Sequence, residues 1–215
     1  GTNAFLAYQG ALGVRWSSAA RTADIDIASE NNVALASPVD LLSALDATGL
    51  PFDEIPSLNP KTPSTSFKVR RKDLRVDVLV PLVGKPSKGP IRVPGLNVCG
   101  TPLRFLDYLI DDPMRVALPC RRGLLVSIPA PARFAFHKLI VSQERPVVEH
   151  NKRVKDVAQA AQLLDALVEL RPGDLPPAWE ELKRRGKGWI SAAGAGWAML
   201  PDATRAGLAG LGVAT

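Results

Sequence analysis

The sequence predicts an α/β (α+β) protein, with strands and helices interspersed in its first part and a helical lobe at its C-terminal end. Two periodicities indicate this. Residues 22–28 and 74–80 alternate apolar and polar side chains, which is typical of half-buried strands. Residues 149–170 repeat apolar side chains at helical spacing instead, and the sequence keeps that helical character from Pro129 onward. We therefore predict two domains, 1–128 and 129–215.

The bulk composition is that of an ordinary globular protein. Of 215 residues, 46% are hydrophobic and 22% are charged, and no apolar run reaches the ~18 residues of a membrane span. The two cysteines, Cys99 and Cys120, fit no metal-ligand spacing, so a reducing, cytoplasmic location is the simplest interpretation. The net charge of +6 favours anionic partners such as nucleotides or RNA, although it serves solubility equally well. No signal peptide is evident, and because the first residue is Gly1 we expect at least an initiating methionine before it.

The elements of the first domain follow from its periodicity and its turn residues. A helix is predicted at 3–12 and a strand at 22–28. Ser37-Pro38 is typical of an N-cap and a first helical turn, so a second helix is predicted through Ala47, with Gly49 at its end. A loop rich in Pro, Ser and Thr (56–66) leads to a hairpin that pairs 67–71 with 74–80. The remaining elements are short strands at 91–93, 115–118 and 124–128 and a helix at 102–110.

The second domain is predicted to be helical throughout. One helix covers 131–142 and a longer one covers 149–170, which Arg171-Pro172-Gly173 ends. The tail after residue 173 is predicted to hold one or two helices, followed by Gly- and Ala-rich sequence.

Three aspartates stand on two of the predicted strands. Asp24 and Asp26 share one face of their strand because they are two residues apart, and such like charges repel unless a cation lies between them. Asp77 has apolar neighbours on both sides in sequence. Carboxylate oxygens are the ligands that a hard ion such as Mg²⁺ (or Mn²⁺) prefers. If the two strands are neighbours, the pattern predicts a metal site. Solvated strand acids are the alternative.

These residues resemble the motif of the nucleotidyltransferase-fold superfamily. That motif is a Gly-Ser or Gly-Gly pair, a short helix, then a basic residue, Ser or Thr, and Asp-x-Asp, with another acid on a later strand. The chain has Gly1-Thr2, then Arg21-Thr22-x-Asp24-x-Asp26, then Asp77. Bacterial minimal nucleotidyltransferase-fold proteins of unassigned substrate are the nearest likeness, over about residues 1 to 170. The resemblance implies a nucleotidyltransferase-type mixed β-sheet with flanking helices.

The resemblance also implies an activity, which is the transfer of a nucleoside monophosphate from an NTP to an acceptor hydroxyl with release of pyrophosphate. The acceptor stays open among a tRNA, a protein and a small molecule. Asp24, Asp26 and Asp77 would be the catalytic acids and the metal ligands. The nucleotide and its phosphates would be bound by Gly1, Thr2, Arg21, Thr22 and Lys138.

A looser likeness joins the helical lobe to abortive-infection type nucleotidyltransferase toxins, which have a Lys-Leu pair and, later, a basic residue beside an Asp. Their counterparts here would be Lys138-Leu139 and Lys155-Asp156, so Lys155 and Asp156 are further candidates. Two structural interpretations compete with these roles. Lys138 could extend from an apolar helix to water, and Asp156 could pair with Lys152 on a solvated helix face.

A different class of function fits the same residues. A nucleotide- or RNA-binding module that retained the fold without catalysis would also be basic. The three aspartates argue against that alternative because a site without metal gains nothing from clustered negative charge.

Overall fold

A computed structural model describes residues 1–17, 22–29, 39–85, 87, 89–118 and 123–214. It is an α+β protein with a mixed sheet and a helical C-terminal region, so the predicted fold class is confirmed. Its internal contacts form two compact units: Gly1–Asn3 with Ala20–Ile110, and Ala4–Ala19 with Asp111–Thr215. The domain division at residue 128 stays a prediction.

The first unit is built on a mixed sheet, to which the described residues contribute six strands. Strands β1 and β6 run parallel to β4, while the β2–β3, β3–β4 and β5–β6 pairs are antiparallel. The strands are β1 (Asp24–Ala28), β2 (Phe52–Glu54), β3 (Ser66–Val69), β4 (Arg75–Pro81), β5 (Ile91–Val93) and β6 (Val98–Leu103). The predicted hairpin is confirmed as β3 and β4, and the predicted strands 22–28 and 91–93 are confirmed as β1 and β5.

One face of this sheet is apolar because alternate side chains of its strands point the same way. In β4, Val76, Val78 and Val80 are all at most 2% exposed and pack with Phe67 and Val69 of β3. The residues between them therefore lie on the opposite, polar face, which carries the acids of β1 and β4.

The helices of the first unit differ in part from their predicted bounds. Helix α1 (Thr2–Leu12) is confirmed. Helix α2 (Leu41–Asp46) is shorter than predicted, and its N-cap is Asp40, whose carboxylate accepts a hydrogen bond from the Ser43 N–H at 2.8 Å. The predicted cap Ser37-Pro38 lies outside the described residues.

The helix predicted at 102–110 is wrong in its first half. Residues 98–103 form β6, and only α3 (Leu106–Ile110) is helical. Pro102 suggested a first helical turn, but it lies in β6, in register with Val80. Among the described strands, the pairing of β5 with β6 ends at Gly100, so from residue 101 onward β6 resembles an edge strand, which tolerates proline. Strand β2 was not predicted.

The second unit combines a hairpin with a set of helices. Strands β7 (Met114–Leu118) and β8 (Leu124–Ile128) pair antiparallel, as predicted for two short strands. The helices are α4 (Pro131–Glu144), α5 (His150–Leu170), α6 (Leu175–Arg184), α7 (Lys187–Trp197) and α8 (Asp202–Ala209). The tail prediction of one or two helices is wrong, since residues 171–214 form three and the Gly- and Ala-rich part is α7.

Close packing of α7 against α4 accounts for the small residues of that helix. A Cβ on Gly196 would lie 2.3 Å from the backbone carbonyl oxygen of Leu139, so α7 crosses α4 with its backbone almost in contact. Trp179 of α6 lies between Phe136 and Trp197, with ring centroids 5.1 and 5.4 Å away. Small residues thus bring the helices together, and the tryptophans fill the core beside them. Among the described helices, none is long and apolar enough to cross a membrane.

Candidate active site

Two of the predicted site acids are side by side. Strands β1 and β4 are parallel neighbours whose register pairs Asp26 with Asp77 and Asp24 with Arg75. Residues paired in this way point to the same face of a sheet. All four side chains therefore belong to the polar face of the first unit.

Asp77 is held by two neighbours on that face. Its Oδ1 accepts hydrogen bonds from the hydroxyl of Ser66, the residue opposite it on β3, and from Nε of Arg75 at 2.7 Å. The second guanidinium nitrogen of Arg75 lies 2.6 Å from the same Oδ1 and donates to Ser66 Oγ at 3.0 Å. The Asp77 side chain is 18% exposed and that of Arg75 is 43% exposed, so this ion pair is open to solvent on one side.

The start of α1 lies against β1. The backbone nitrogen of Gly1 is 3.6 Å from Oδ2 of Asp26, and a Cβ on Gly1 would be only 1.9 Å from that oxygen. Glycine is therefore the residue that allows this approach. The Asn3 side chain donates to the carbonyl oxygen of Asp24 at 2.8 Å, which fixes the first turn of the helix to the strand.

The remaining motif residues of this unit are placed only in part. The Thr22 hydroxyl accepts a hydrogen bond from the Asp24 N–H at 3.2 Å and so shapes the entry into β1. Thr2 is half-buried in the first turn of α1. Arg21 lies outside the described residues.

The donor chemistry of the polar face suits a divalent cation, because Asp24, Asp26 and Asp77 offer carboxylate oxygens alone. Their side chains do not form a cluster of metal ligands. Within the described portion of the chain, no three Asp, Glu, His or Cys side chains form a group that could hold a metal ion. One oxygen of Asp77 is instead occupied by Arg75. The backbone register fits a metal site, and a cation would have to compete with that guanidinium.

Comparison with known proteins adds a family to this geometry. The model of a protein family described as nucleotidyltransferase matches residues 1–183, which is most of the chain. The chain belongs to that nucleotidyltransferase family. No curated protein and no solved structure matches it. The predicted resemblance is confirmed, and the mixed sheet followed by helices agrees with the fold expected of a nucleotidyltransferase.

In the helical unit of this nucleotidyltransferase, the Lys-Leu and Lys-Asp pairs meet. Lys138 Nζ of α4 lies 2.5 Å from Oδ1 of Asp156 on α5, and Arg145 Nε lies 3.1 Å from Oδ2 of the same carboxylate. The Asp156 side chain is 4% exposed and Lys138 is 12% exposed. The competing interpretation of Asp156 as a solvated partner of Lys152 is wrong, since Lys152 pairs with Glu149 at 2.7 Å.

The buried pair gives Lys138 a structural partner. Burial lowers the pKa of Lys138, and the Asp156 carboxylate opposes that change by favouring the charged amine. The interpretation that Lys138 only extends to water is wrong for a side chain so little exposed. Whether Lys138 also binds phosphate stays a prediction, as do the roles of Lys155 and Asp156.

His137 is a half-buried histidine of the same helix. Its Nε2 is buried without a hydrogen-bond partner in the described structure. Burial, together with the positive charges of Lys138 and Arg145, lowers the pKa of His137 to about 3. The imidazole is therefore neutral at physiological pH.

Four residues of these sites were not identified from the sequence. Ser66 and Arg75 follow from the hairpin register, because Ser66 lies opposite Asp77 and Arg75 is two residues before it. Asn3 and Arg145 have no local signal, since their partners are 21 and 11 residues away along the chain.

Proposed function

We propose that this nucleotidyltransferase depends on a divalent metal and transfers a nucleoside monophosphate from an NTP to an acceptor hydroxyl. The acceptor oxygen attacks the α-phosphorus in line, the bond from that phosphorus to the bridging oxygen of the β-phosphate breaks, and pyrophosphate leaves. The observation that carries the proposal is the register of Asp26 with Asp77 on neighbouring parallel strands.

The chain's own residues divide the work as follows. Asp24, Asp26 and Asp77 would hold Mg²⁺ (or Mn²⁺), because their oxygens lie on one polar face beside the start of α1. The bound metal would neutralise the triphosphate and lower the pKa of the acceptor hydroxyl. Gly1 and Thr2 would bind phosphate with backbone N–H groups and a hydroxyl at a helix N-terminus, where the helix dipole favours anions.

The basic residues of the motif would supply further contacts to the nucleotide. Arg21 and Thr22 lie three and two residues before Asp24 in sequence, so they would contact a phosphate or orient the carboxylates. Lys138 remains a proposed phosphate ligand, but its buried ion pair with Asp156 favours a structural role.

A non-catalytic nucleotide- or RNA-binding module is the second candidate. The pairing of Asp77 with Arg75 favours it, because an acid already neutralised by a guanidinium needs no metal. The two candidates differ in one consequence. Only the enzyme requires the charge of Asp77 for turnover.

The test is a transfer assay with matched acid variants. The protein is incubated with each α-³²P-labelled NTP, Mg²⁺ and, in turn, total RNA, a protein extract or small hydroxyl compounds. Wild type is compared with Asp77→Asn and with Asp53→Asn. Asp53 is an acid of the same sheet that pairs with Arg70 at 2.9 Å, away from the acids of β1 and β4.

We expect label transfer by wild type and by Asp53→Asn, and transfer at background for Asp77→Asn. Chelation of the metal should abolish transfer in the two active proteins. NTP binding without transfer to any acceptor would favour the binding module. Retention of RNA that neither chelation nor Asp77→Asn changes would favour an RNA-binding role.

A further inference from the structure

Arg75 lies on the acid face, and the nucleotidyltransferase motif gives it no role. In register it lies opposite Asp24, and in sequence it is two residues before Asp77, so two acids are next to its position on the polar face. Its guanidinium binds Oδ1 of Asp77 through two nitrogens, at 2.6 and 2.7 Å. Arg75 is thus a cation bound directly to one of the three acids that the motif assigns to metal binding.

Arg75 binds one of the two Asp77 carboxylate oxygens that a metal ion could use. A carboxylate oxygen that accepts from a guanidinium and from the Ser66 hydroxyl has little capacity left for a cation. The Arg75 side chain is 43% exposed, so it has room to leave, and a solvated ion pair is weak enough to exchange.

We propose that Arg75 is a resident counter-ion that competes with the divalent cation for Asp77 and, once displaced, binds a phosphate of the incoming NTP. This inference rests on the proposed function, since it assumes that Asp77 is a metal ligand. Displacement leaves a guanidinium beside the site, and a metal-bound triphosphate is the anion that its planar fork binds best.

The competition has a signature that a purely structural role does not share. Removing the guanidinium should strengthen metal binding, because Asp77 is freed, and weaken nucleotide binding, because a phosphate ligand is lost. A substitution that only disrupted the site would weaken metal binding and nucleotide binding alike.

The experiment measures each binding step separately in Arg75→Gln, Arg75→Lys and wild type. Mn²⁺ binding without nucleotide is followed by the electron paramagnetic resonance signal of free Mn²⁺. Nucleotide binding at saturating Mg²⁺ is followed by calorimetry with the four α,β-methylene NTPs, which cannot be cleaved at the reacting bond. Arg70→Gln is the matched control, because Arg70 makes a similar two-nitrogen pair with Asp53, at 2.9 and 3.0 Å.

We expect Arg75→Gln to bind Mn²⁺ about three- to tenfold more tightly than wild type. It should bind the best of the four analogues about tenfold more weakly. Arg75→Lys, which keeps the charge but loses the fork, should lie between the two proteins in both measurements. Arg70→Gln should leave Mn²⁺ affinity at the wild-type value.

Mn²⁺ affinity that is unchanged or lower in Arg75→Gln, with the variant folded by near-ultraviolet circular dichroism, would overturn the inference. So would unchanged nucleotide affinity. If in either case Asp77→Asn still abolishes Mn²⁺ binding and label transfer, the proposed function stands without this role for Arg75. A wild-type protein that binds no Mn²⁺ and transfers label independently of Asp77 would overturn both.

Discussion

Replacing Asp156 with asparagine should destabilise the helical unit strongly. The Asp156 carboxylate is 4% exposed and lies 2.5 Å from the amine of Lys138, which is 12% exposed. Arg145 makes a second contact at 3.1 Å and is 30% exposed, so it can turn to water. The Lys138 side chain cannot turn to water as easily, so an asparagine at position 156 would leave the charge of Lys138 buried without a counter-ion. We expect the free energy of unfolding at pH 7 to fall by about 3–5 kcal/mol.

The size of this loss should depend on pH, with a sign set by Lys138. Burial lowers the pKa of Lys138 below its ordinary 10.5, and Asp156 opposes that shift. Without Asp156 the pKa of Lys138 in the folded protein falls further. The folded state then binds fewer protons than the unfolded state over a wider range of pH below 10.5. The free energy of unfolding of the variant therefore rises with pH in that range. The difference from wild type should narrow as the pH is raised from neutral.

Urea unfolding followed by tryptophan fluorescence at several pH values between neutral and alkaline measures both effects. Glu180→Gln removes an acid from an exposed ion pair with Lys183 in the same unit and should change the unfolding midpoint little. Adding Lys138→Met to Asp156→Asn should restore most of the stability, because no unpaired charge remains. Additive losses in that double variant, or a difference that widens as the pH rises, would refute the reasoning.

Three further predictions test other parts of the structure. Gly196→Ala should lower the free energy of unfolding by about 1–3 kcal/mol, since its Cβ would lie 2.3 Å from a carbonyl oxygen of α4. Gly188→Ala, whose Cβ would meet nothing within 4 Å, should raise that free energy. If thermal unfolding shows that both substitutions change stability in the same direction, the close crossing of α7 and α4 is contradicted. Because the pKa of His137 is lowered to about 3, the unfolded state alone takes up its proton between about 6.5 and 3. Unfolding free energy should then fall on acidification by up to about 1.4 kcal/mol per pH unit, and His137→Gln should remove that part of the slope in urea titrations. Gly1→Ala would put a Cβ 1.9 Å from a carboxylate oxygen of β1, so label transfer should fall about ten- to a hundredfold, and Gly10→Ala, in open space on α1, should transfer normally.

The alternation of residues 74–80 was enough to predict β4 and its two faces, because a half-buried strand must separate apolar from polar side chains. The partner of that strand was not predictable in the same way. Parallel pairing of β1 with β4 joins segments about 50 residues apart, and no local pattern specifies that Asp26 rather than Asp24 is in register with Asp77. The sequence therefore suggested the three acids as candidates, and the register of the sheet shows which two of them are neighbours.

The sequence around Asp156 is consistent with two positions on its helix, one on the surface and one in the core. Its spacing of four from Lys152 predicted a surface pair. Its spacing from Ala160, Leu163 and Leu167 places it equally well on a helical stripe, and those three residues are fully buried. A carboxylate on a buried stripe needs a partner from another helix, and Lys138 is that partner.

The candidate acid of the sheet, Asp77, and the candidate acid of the helical unit, Asp156, differ in their exposure to solvent. The exchange proposed for Asp77 requires a carboxylate that reaches solvent, and the Asp77 side chain is 18% exposed. The Asp156 side chain is 4% exposed and is stable only because it is buried together with its counter-ion. Loss of transfer in Asp77→Asn should therefore persist in fully folded protein. Loss of transfer in Asp156→Asn should follow the fraction unfolded and recover when trimethylamine N-oxide, which favours the compact state, refolds the variant. Loss that persists in refolded Asp156→Asn would instead assign the Lys138–Asp156 pair a direct part in the reaction.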